Sequence, residues 1–134
     1  MIAVDTSVAI AALSPWHERH DEAANVCRDE AAIPAHAVLE AYSSLTRMPE
    51  PLRISGEVAA EALERSWGHR IIAPSADLLI ALPRRLAVAS IVGGSSYDAL
   101  VALTAHEHGR PLVSLDLRAE RMYRVLGVDF RLLG

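Results

Sequence analysis

Short apolar runs alternate with longer amphipathic segments along the whole chain. The first run, residues 1–4, stops at Asp5 and is followed by the apolar stretch Thr6–Leu13, a pattern that predicts a strand, a turn and a helix. Later runs of the same kind predict further short strands over residues 31–33, 71–73, 112–115 and 128–130.

The segments between these runs carry apolar residues at helical spacing and are bounded by Ser, Pro and Gly. They predict further helices over residues 17–28, 35–48, 55–67, 75–88, 97–108 and 116–126. Short strands that alternate with helices are typical of a parallel sheet covered by helices on both faces. We therefore predict a single α/β domain over residues 1–134, a three-layer sandwich around a central parallel sheet of about four to five strands.

Composition supports one compact domain, because 51% of the 134 residues are hydrophobic and can form a core. The formal net charge of −4 argues against nucleic-acid binding by charge alone. All 13 basic residues are Arg, whose planar guanidinium suits bidentate contact with phosphate. GC-rich codon usage would explain the absence of Lys equally well.

The single cysteine, Cys27, has no partner for an internal disulfide, and there is no Cys/His cluster that would bind zinc. The N-terminus has no basic leader, and no apolar run approaches the ~20 residues needed to span a bilayer. We expect a cytoplasmic protein.

Four acids occupy positions where chemistry is expected in such a fold. Asp5 and Asp116 directly follow predicted strands, Glu40 lies on the polar face of a predicted helix, and Asp98 stands near the start of another. Ligands of open α/β sheets bind beyond the carboxyl ends of the strands. If the four carboxylates converge there, each raises the pKa of the others, and a hard divalent cation such as Mg²⁺ or Mn²⁺ relieves the repulsion. A metal-activated water would then serve as the nucleophile.

Each acid also has a purely structural alternative. Asp5 and Asp116 could be helix N-caps, and Asp98 ends the sequence Ser95-Ser96-Tyr97-Asp98, which matches a capping box. Glu40 could pair with His36 or with an arginine on the helix surface. The positions of the acids alone leave both interpretations open.

The sequences around the four acids have a recognisable order. They are Val4-Asp5-Thr6-Ser7, Pro34-Ala35-His36-Ala37-Val38-Leu39-Glu40, Tyr97-Asp98-Ala99-Leu100-Val101-Ala102 and Leu112-Val113-Ser114-Leu115-Asp116-Leu117-Arg118-Ala119. Together these segments resemble the four motifs of PIN-domain ribonucleases, and the short chain resembles the VapC toxins of type II toxin–antitoxin systems in particular. The resemblance covers residues 1–126.

This resemblance implies an Mg²⁺- or Mn²⁺-dependent endoribonuclease with Asp5, Glu40, Asp98 and Asp116 as catalytic metal ligands. It further implies hydrolysis that leaves 5′-phosphate and 3′-hydroxyl ends, a VapB-type antitoxin that blocks the site, and a homodimer formed through apolar helix faces.

Other residues of these motifs receive supporting roles by the same resemblance. Thr6 or Ser7 would support Asp5 or a metal-bound water, and Ser114 stands where the family more often has Thr. Arg118 replaces a further acid that some PIN nucleases carry, which leaves the number of metal ions, one or two, open.

Arg118 and Arg121 are expected to contact the RNA backbone, because they follow Asp116 at helical spacing. The alternative for Arg121, and for Arg124 one turn later, is a solvated helix face that pairs with Glu120.

Two competing functions differ in what they require. Receiver domains and haloacid-dehalogenase-type phosphatases also place Asp after the first strand, but they use a Lys, and this chain has none. A catalytically silent PIN-like module would bind RNA or protein without cutting. The presence of all four acids favours the enzyme over that module.

Overall fold

The computed structural model describes residues 1–28 and 30–134. These residues contain five short strands: β1 Ala3–Val4, β2 Ile33–Pro34, β3 Ile71–Ile72, β4 Leu112–Ser114 and β5 Phe130–Leu132. They also contain seven α-helices: α1 Thr6–Leu13, α2 His20–Cys27, α3 Ala35–Thr46, α4 Gly56–Trp67, α5 Ala76–Val88, α6 Ser95–Glu107 and α7 Glu120–Leu126. A 3₁₀ turn, Leu117–Ala119, leads into α7.

The strand pairings are all parallel, as predicted. β4 lies between β1 and β5, while β2 pairs with β3. A single bridge between Ala3 and Ala32 joins the three-stranded and two-stranded sheets, and the Val4 N–H donates to the Ala32 carbonyl at 2.9 Å. The strands therefore follow the order β3-β2-β1-β4-β5. This arrangement confirms the predicted α/β fold, although the sheet is divided into three and two strands.

The strand order reverses between β1 and β4, and this is where open α/β sheets bind ligands. β1 and β4 are completely covered, and residues such as Val4 and Leu112 have no exposed surface. Helix α1 packs on β4 and against α2 and α3, while α6 packs on β2 and β4. The segments that follow β1 and β4 thus begin side by side, between packed helices.

The helices begin where the sequence offers capping side chains. Asp5 caps α1 by accepting a hydrogen bond from the Val8 N–H, and Ser55 and Ser75 cap α4 and α5 in the same way. Each such cap contributes about 1 kcal/mol to helix stability. No helix among the described residues has the length and apolar character needed to cross a membrane.

Two helix starts differ from the prediction. Helix α2 begins at His20 rather than at residue 17, because the chain first turns, with the His17 N–H donating to the Ser14 carbonyl. Helix α6 begins at Ser95, and its N-cap Gly94 has no side chain to accept a hydrogen bond. The capping box that would have explained Asp98 structurally is therefore not formed.

The C-terminal segment also departs from the prediction. The predicted helix over residues 116–126 is divided into the 3₁₀ turn and α7. Gly127 ends α7 in the left-handed conformation, and the N–H of buried Val128 donates to the Tyr123 carbonyl. Strand β5 consequently starts two residues later than predicted, with Phe130 opposite Leu112.

Candidate active site

A cavity of about 230 Å³ lies where the chain leaves β1 and β4. Most of its lining side chains carry oxygen: Asp5, Thr6, Ser7, Glu40, Asp98, Asp116 and Tyr123. We call this space the acidic cavity. It brings together all four acids that the sequence singled out, although they come from four separate segments of the chain.

Asp5 lies at the bottom of the acidic cavity and is almost fully buried. Its Oδ1 accepts hydrogen bonds from the Ser7 hydroxyl at 2.6 Å and from the Val8 N–H at 3.1 Å, and its Oδ2 accepts from the Ser114 hydroxyl at 2.5 Å. Burial raises the pKa of Asp5 despite these hydrogen bonds, and the charge of Asp116 raises it further. Asp5 is thus a helix cap and a cavity acid at once.

Two serines connect Asp5 to the chain after β4. The fully buried Ser114 hydroxyl, which donates to Asp5, accepts a hydrogen bond from the Asp116 N–H at 3.0 Å. The Ser7 hydroxyl accepts from the Leu115 N–H at 2.9 Å. These contacts fix the relative positions of Asp5 and Asp116. Ser7 and Ser114, both predicted as supporting residues, therefore lie directly against the acids.

Glu40 lies in α3 and lines the acidic cavity. Its Oε1 accepts a hydrogen bond from the Thr6 hydroxyl at 3.1 Å and lies 3.8 Å from His36 Nε2. Of the two residues expected to support Asp5, Ser7 bonds to it, whereas Thr6 bonds to Glu40 instead. Thr6 therefore couples the start of α1 to α3.

Asp98, in the first turn of α6, is half-buried beside the other acids. Burial, followed by the charges of Glu40, Asp116 and Asp5, raises its pKa to about 6, and His36 opposes the rise only weakly. No described residue donates a hydrogen bond to its carboxylate. Asp98 is the acid whose charge is least compensated by the protein itself.

Of the two predicted RNA-binding arginines, only Arg118 lies beside Asp116 at the acidic cavity. Asp116 Oδ1 accepts from the Arg118 N–H at 3.1 Å, and the Arg118 guanidinium lies 3.7 Å away from the same atom. The Arg118 side chain is 96% exposed and borders a second cavity together with Asp98 and Asp116. Arg121 is exposed on α7 and lines neither cavity.

Arg124 pairs with Glu120 at 2.8 Å, which is the surface role considered for it above. Arg118 lies in the 3₁₀ turn and Arg121 in α7, so the two residues are not part of one continuous helix. Arg118 therefore lies beside the acids, whereas Arg121 does not line the same cavity.

Tyr123 is a site residue that sequence reasoning overlooked. It is buried on α7, and its hydroxyl lies 3.5 Å from both Asp5 Oδ2 and Ser114 Oγ. Burial and the nearby Asp5 charge raise the pKa of Tyr123, so the phenol stays protonated and can donate. The sequence signal was only an amphipathic tyrosine on an apolar helix face, which is typical of a core residue.

The donor set of the acidic cavity fits a hard divalent cation. Its polar side chains all present oxygen, and neither Asp5 nor Asp98 is paired with a basic side chain among the described residues. In this conformation, no three His, Cys, Asp or Glu side chains of residues 1–28 and 30–134 are arranged to hold a metal ion. Burial first, and the charges of neighbouring acids after it, raise the pKa of Asp5 and of Asp98, and a bound cation would offset both effects.

Comparison with known proteins gives matches over nearly the whole chain. The family model of the PIN domain matches residues 2–125. Ribonuclease VapC40 of Mycobacterium tuberculosis is 38% identical over 133 residues, which cover 99% of each chain. Ribonuclease VapC27 of Mycobacterium tuberculosis is 44% identical over 130 residues, which cover 95% of this chain and 93% of that protein.

A solved structure, that of FitAB bound to an IR36 DNA fragment, contains a chain with the same fold. The two chains superpose with a TM-score of 0.69 over 98% of this chain and 94% of the other, at 18% sequence identity. At that identity the likeness concerns the fold alone.

Proposed function

The chain belongs to the PIN-domain family, and we propose that it is a VapC-type toxin, an endoribonuclease that hydrolyses RNA phosphodiester bonds. The observation that carries this proposal is the acidic cavity, where Asp5, Glu40, Asp98 and Asp116 lie together at the reversal of strand order. The two ribonucleases to which the chain is similar over nearly its whole length support the choice of RNA as substrate.

We propose Mg²⁺ or Mn²⁺ as the cofactor, held by carboxylate oxygens of Asp5, Glu40, Asp98 and Asp116. When bound, such an ion supplies Lewis acidity toward the phosphate and lowers the pKa of a water that attacks the phosphorus. Hard cations of this kind prefer oxygen ligands, and the acidic cavity offers no sulfur or nitrogen ligand among its lining residues.

The protein's own residues have distinct tasks in this reaction. Ser7 and Ser114 hold both oxygens of Asp5 in fixed directions, so that the carboxylate is oriented before substrate arrives. Thr6 does the same for Glu40. Arg118, exposed to solvent beside Asp116, is placed to attract and bind a backbone phosphate.

In the proposed step the activated water forms a bond to phosphorus while the bond from phosphorus to the 3′-oxygen breaks, and that oxygen takes up a proton. The products would therefore carry 5′-phosphate and 3′-hydroxyl ends, and because the 2′-hydroxyl does not react, no 2′,3′-cyclic phosphate would form. We place the reaction in the cytoplasm, where cellular RNA is available.

We also propose that the chain forms a homodimer and is inhibited by a VapB-type antitoxin. Helix α5 and the segment after it expose apolar side chains that a partner would cover: Leu79, Ile80, Val88 and Val92. Light scattering of the purified protein would reveal the dimer, and a monomer at all concentrations would exclude it.

The experiment that tests the function compares two aspartates that each lie in the first turn of a helix, Asp98 and Asp77. Only Asp98 lines the acidic cavity, while Asp77 is exposed. The antitoxin-free protein, Asp98→Asn and Asp77→Asn are each incubated with total RNA in Mg²⁺, in Mn²⁺ and in EDTA.

We expect the unmodified protein and Asp77→Asn to cut RNA in either metal but not in EDTA, and Asp98→Asn to cut in neither. If no protein cuts under any condition, the chain is a binding module rather than an enzyme. If Asp98→Asn cuts as well as Asp77→Asn, the acidic cavity is not the active site.

A further inference from the structure

Beside the acidic cavity lies a stacked aromatic pair that the proposed chemistry does not use. The rings of His36 and Tyr97 are 5.1 Å apart between centroids and only 9° from parallel. His36 is largely covered, whereas Tyr97 is 54% exposed. His36 therefore supports one face of the tyrosine ring, and the ring remains accessible to solvent.

This pair borders a groove that continues from the acidic cavity along α3. Thr6 and Glu40 line both spaces, and the groove, about 570 Å³ in volume, is further lined by His36, Ser43, Arg47 and Tyr97. We call it the α3 groove. Its continuity with the acidic cavity means that a chain bound at the acids can extend into it without leaving the surface.

The far end of the α3 groove carries a positive charge. Arg47 follows Glu40 by two helical turns, which corresponds to roughly 10 Å along the helix axis. Arg47 is exposed, and among residues 1–28 and 30–134 no side chain pairs with its guanidinium. Along α3 the groove thus presents the His36–Tyr97 pair one turn before Glu40, and serine hydroxyls followed by the Arg47 cation in the two turns after it.

We propose that the Tyr97 ring, supported by His36, is a stacking platform for a base of single-stranded RNA next to the phosphate that is cut, and that Arg47 binds a neighbouring phosphate. This proposal rests on the proposed ribonuclease function. Every base has a π-face, so an aromatic ring in a groove that follows the backbone binds single strands with little sequence preference.

The net charge of the chain makes such a platform useful. With a formal charge of −4, the protein gains little general attraction for a polyanion. Stacking on Tyr97 does not depend on charge. It therefore supplies affinity for RNA that electrostatic attraction does not provide at this acidic site. It also fixes the strand beside Glu40 and Asp98, where the phosphate must lie.

The test measures binding separately from cleavage. Fluorescein-labelled octamers of A, C and U ribonucleotides are titrated with protein at low salt, with Ca²⁺ in place of Mg²⁺, and fluorescence anisotropy gives Kd. The octamers are checked for integrity afterwards. We expect Tyr97→Ala to raise Kd about 5- to 150-fold, the range found for loss of one stacked base, and Tyr97→Phe, which keeps the ring, to stay within about twofold of the original protein.

Trp16 provides a matched control. It is 48% exposed and lies beside the ring of His17, 5.7 Å away, but it follows the opposite end of α1 from the acidic cavity. Trp16→Ala should therefore leave Kd unchanged. Tyr97→Leu, which keeps apolar bulk without a π-system, should behave like Tyr97→Ala and replaces it if the alanine variant does not fold.

Three results would overturn the platform: no binding of any octamer by the unmodified protein, unchanged Kd in Tyr97→Leu, or an equal loss in Tyr97→Phe and Tyr97→Leu. The last result would assign the effect to the hydroxyl. A protein that binds through Tyr97 but cuts no RNA in Mg²⁺ would refute the ribonuclease function and leave the platform standing. A protein that cuts RNA but whose Kd does not change when Tyr97 is replaced would support the ribonuclease function and refute the platform.

Discussion

Replacing Asp98 by Asn should stabilise the metal-free protein while abolishing its activity. The pKa of Asp98 is raised from its ordinary value of 3.8 to about 6, because burial and three neighbouring carboxylates disfavour its charge. A rise of that size corresponds to at most about 3 kcal/mol of lost stability at neutral pH. Since Asp98 is only half-buried and solvent screens its charge, we expect Asp98→Asn to gain about 1 to 2 kcal/mol.

The destabilisation caused by the charge of Asp98 depends on pH. The folded-state pKa of Asp98 lies above the unfolded value, so the penalty is absent below about pH 4, grows as pH rises toward about 6, and is complete above it. Urea denaturation in EDTA should therefore show a gain from Asp98→Asn that is roughly twice as large at about pH 7.5 as at about pH 5.

Asp77→Asn, an exposed control in the first turn of α5, should change stability by less than about 0.5 kcal/mol at either pH. An Asp98→Asn protein that is less stable than the original at about pH 7.5 would refute the electrostatic reasoning and favour a structural role for Asp98.

Three other substitutions test the surroundings of the acids. Ser114→Ala should lose about 1 to 3 kcal/mol of stability by urea denaturation, because it leaves Asp5 short of a donor and the Asp116 N–H without an acceptor. Tyr123→Phe should cost less, under about 1 kcal/mol, since the phenol lies 3.5 Å from its partners; a larger loss than in Ser114→Ala would contradict the observed distances. Arg118→Ala should leave stability within about 0.5 kcal/mol but raise KM for RNA and flatten its salt dependence; an unchanged salt slope would remove Arg118 from the RNA contact.

Local sequence signals predict the positions of two of the four acids that line the acidic cavity. Asp5 and Asp116 stand where apolar strands end, and strands of a parallel sheet present those ends at one edge. Asp98 and Glu40 needed the resemblance to PIN-domain ribonucleases, since their helices gave no reason to face the sheet edge. The structure adds what each acid touches.

Other features depend on contacts that no local pattern encodes. Tyr123 comes within 3.5 Å of Asp5 only because α7 packs against α6, so its sequence neighbourhood indicates nothing beyond burial. The last strand was predicted to begin at Val128 because valine has a high strand propensity. In the structure the Val128 N–H instead donates to the Tyr123 carbonyl at the end of α7, and β5 begins at Phe130, where pairing with β4 starts. The stacked arrangement of Tyr97 likewise depends on the ring of His36, which approaches it from another helix.

If the acidic cavity cuts RNA with a metal-activated water, the chemistry of the cut ends shows this most directly. Fragments produced by the purified protein should be sequenced by methods that distinguish their termini, in Mg²⁺ and in EDTA. We predict new 5′-phosphate and 3′-hydroxyl ends that appear only with Mg²⁺. Fragments with 2′,3′-cyclic phosphates that form equally well in EDTA would show that the RNA's own 2′-hydroxyl is the nucleophile and would contradict the account.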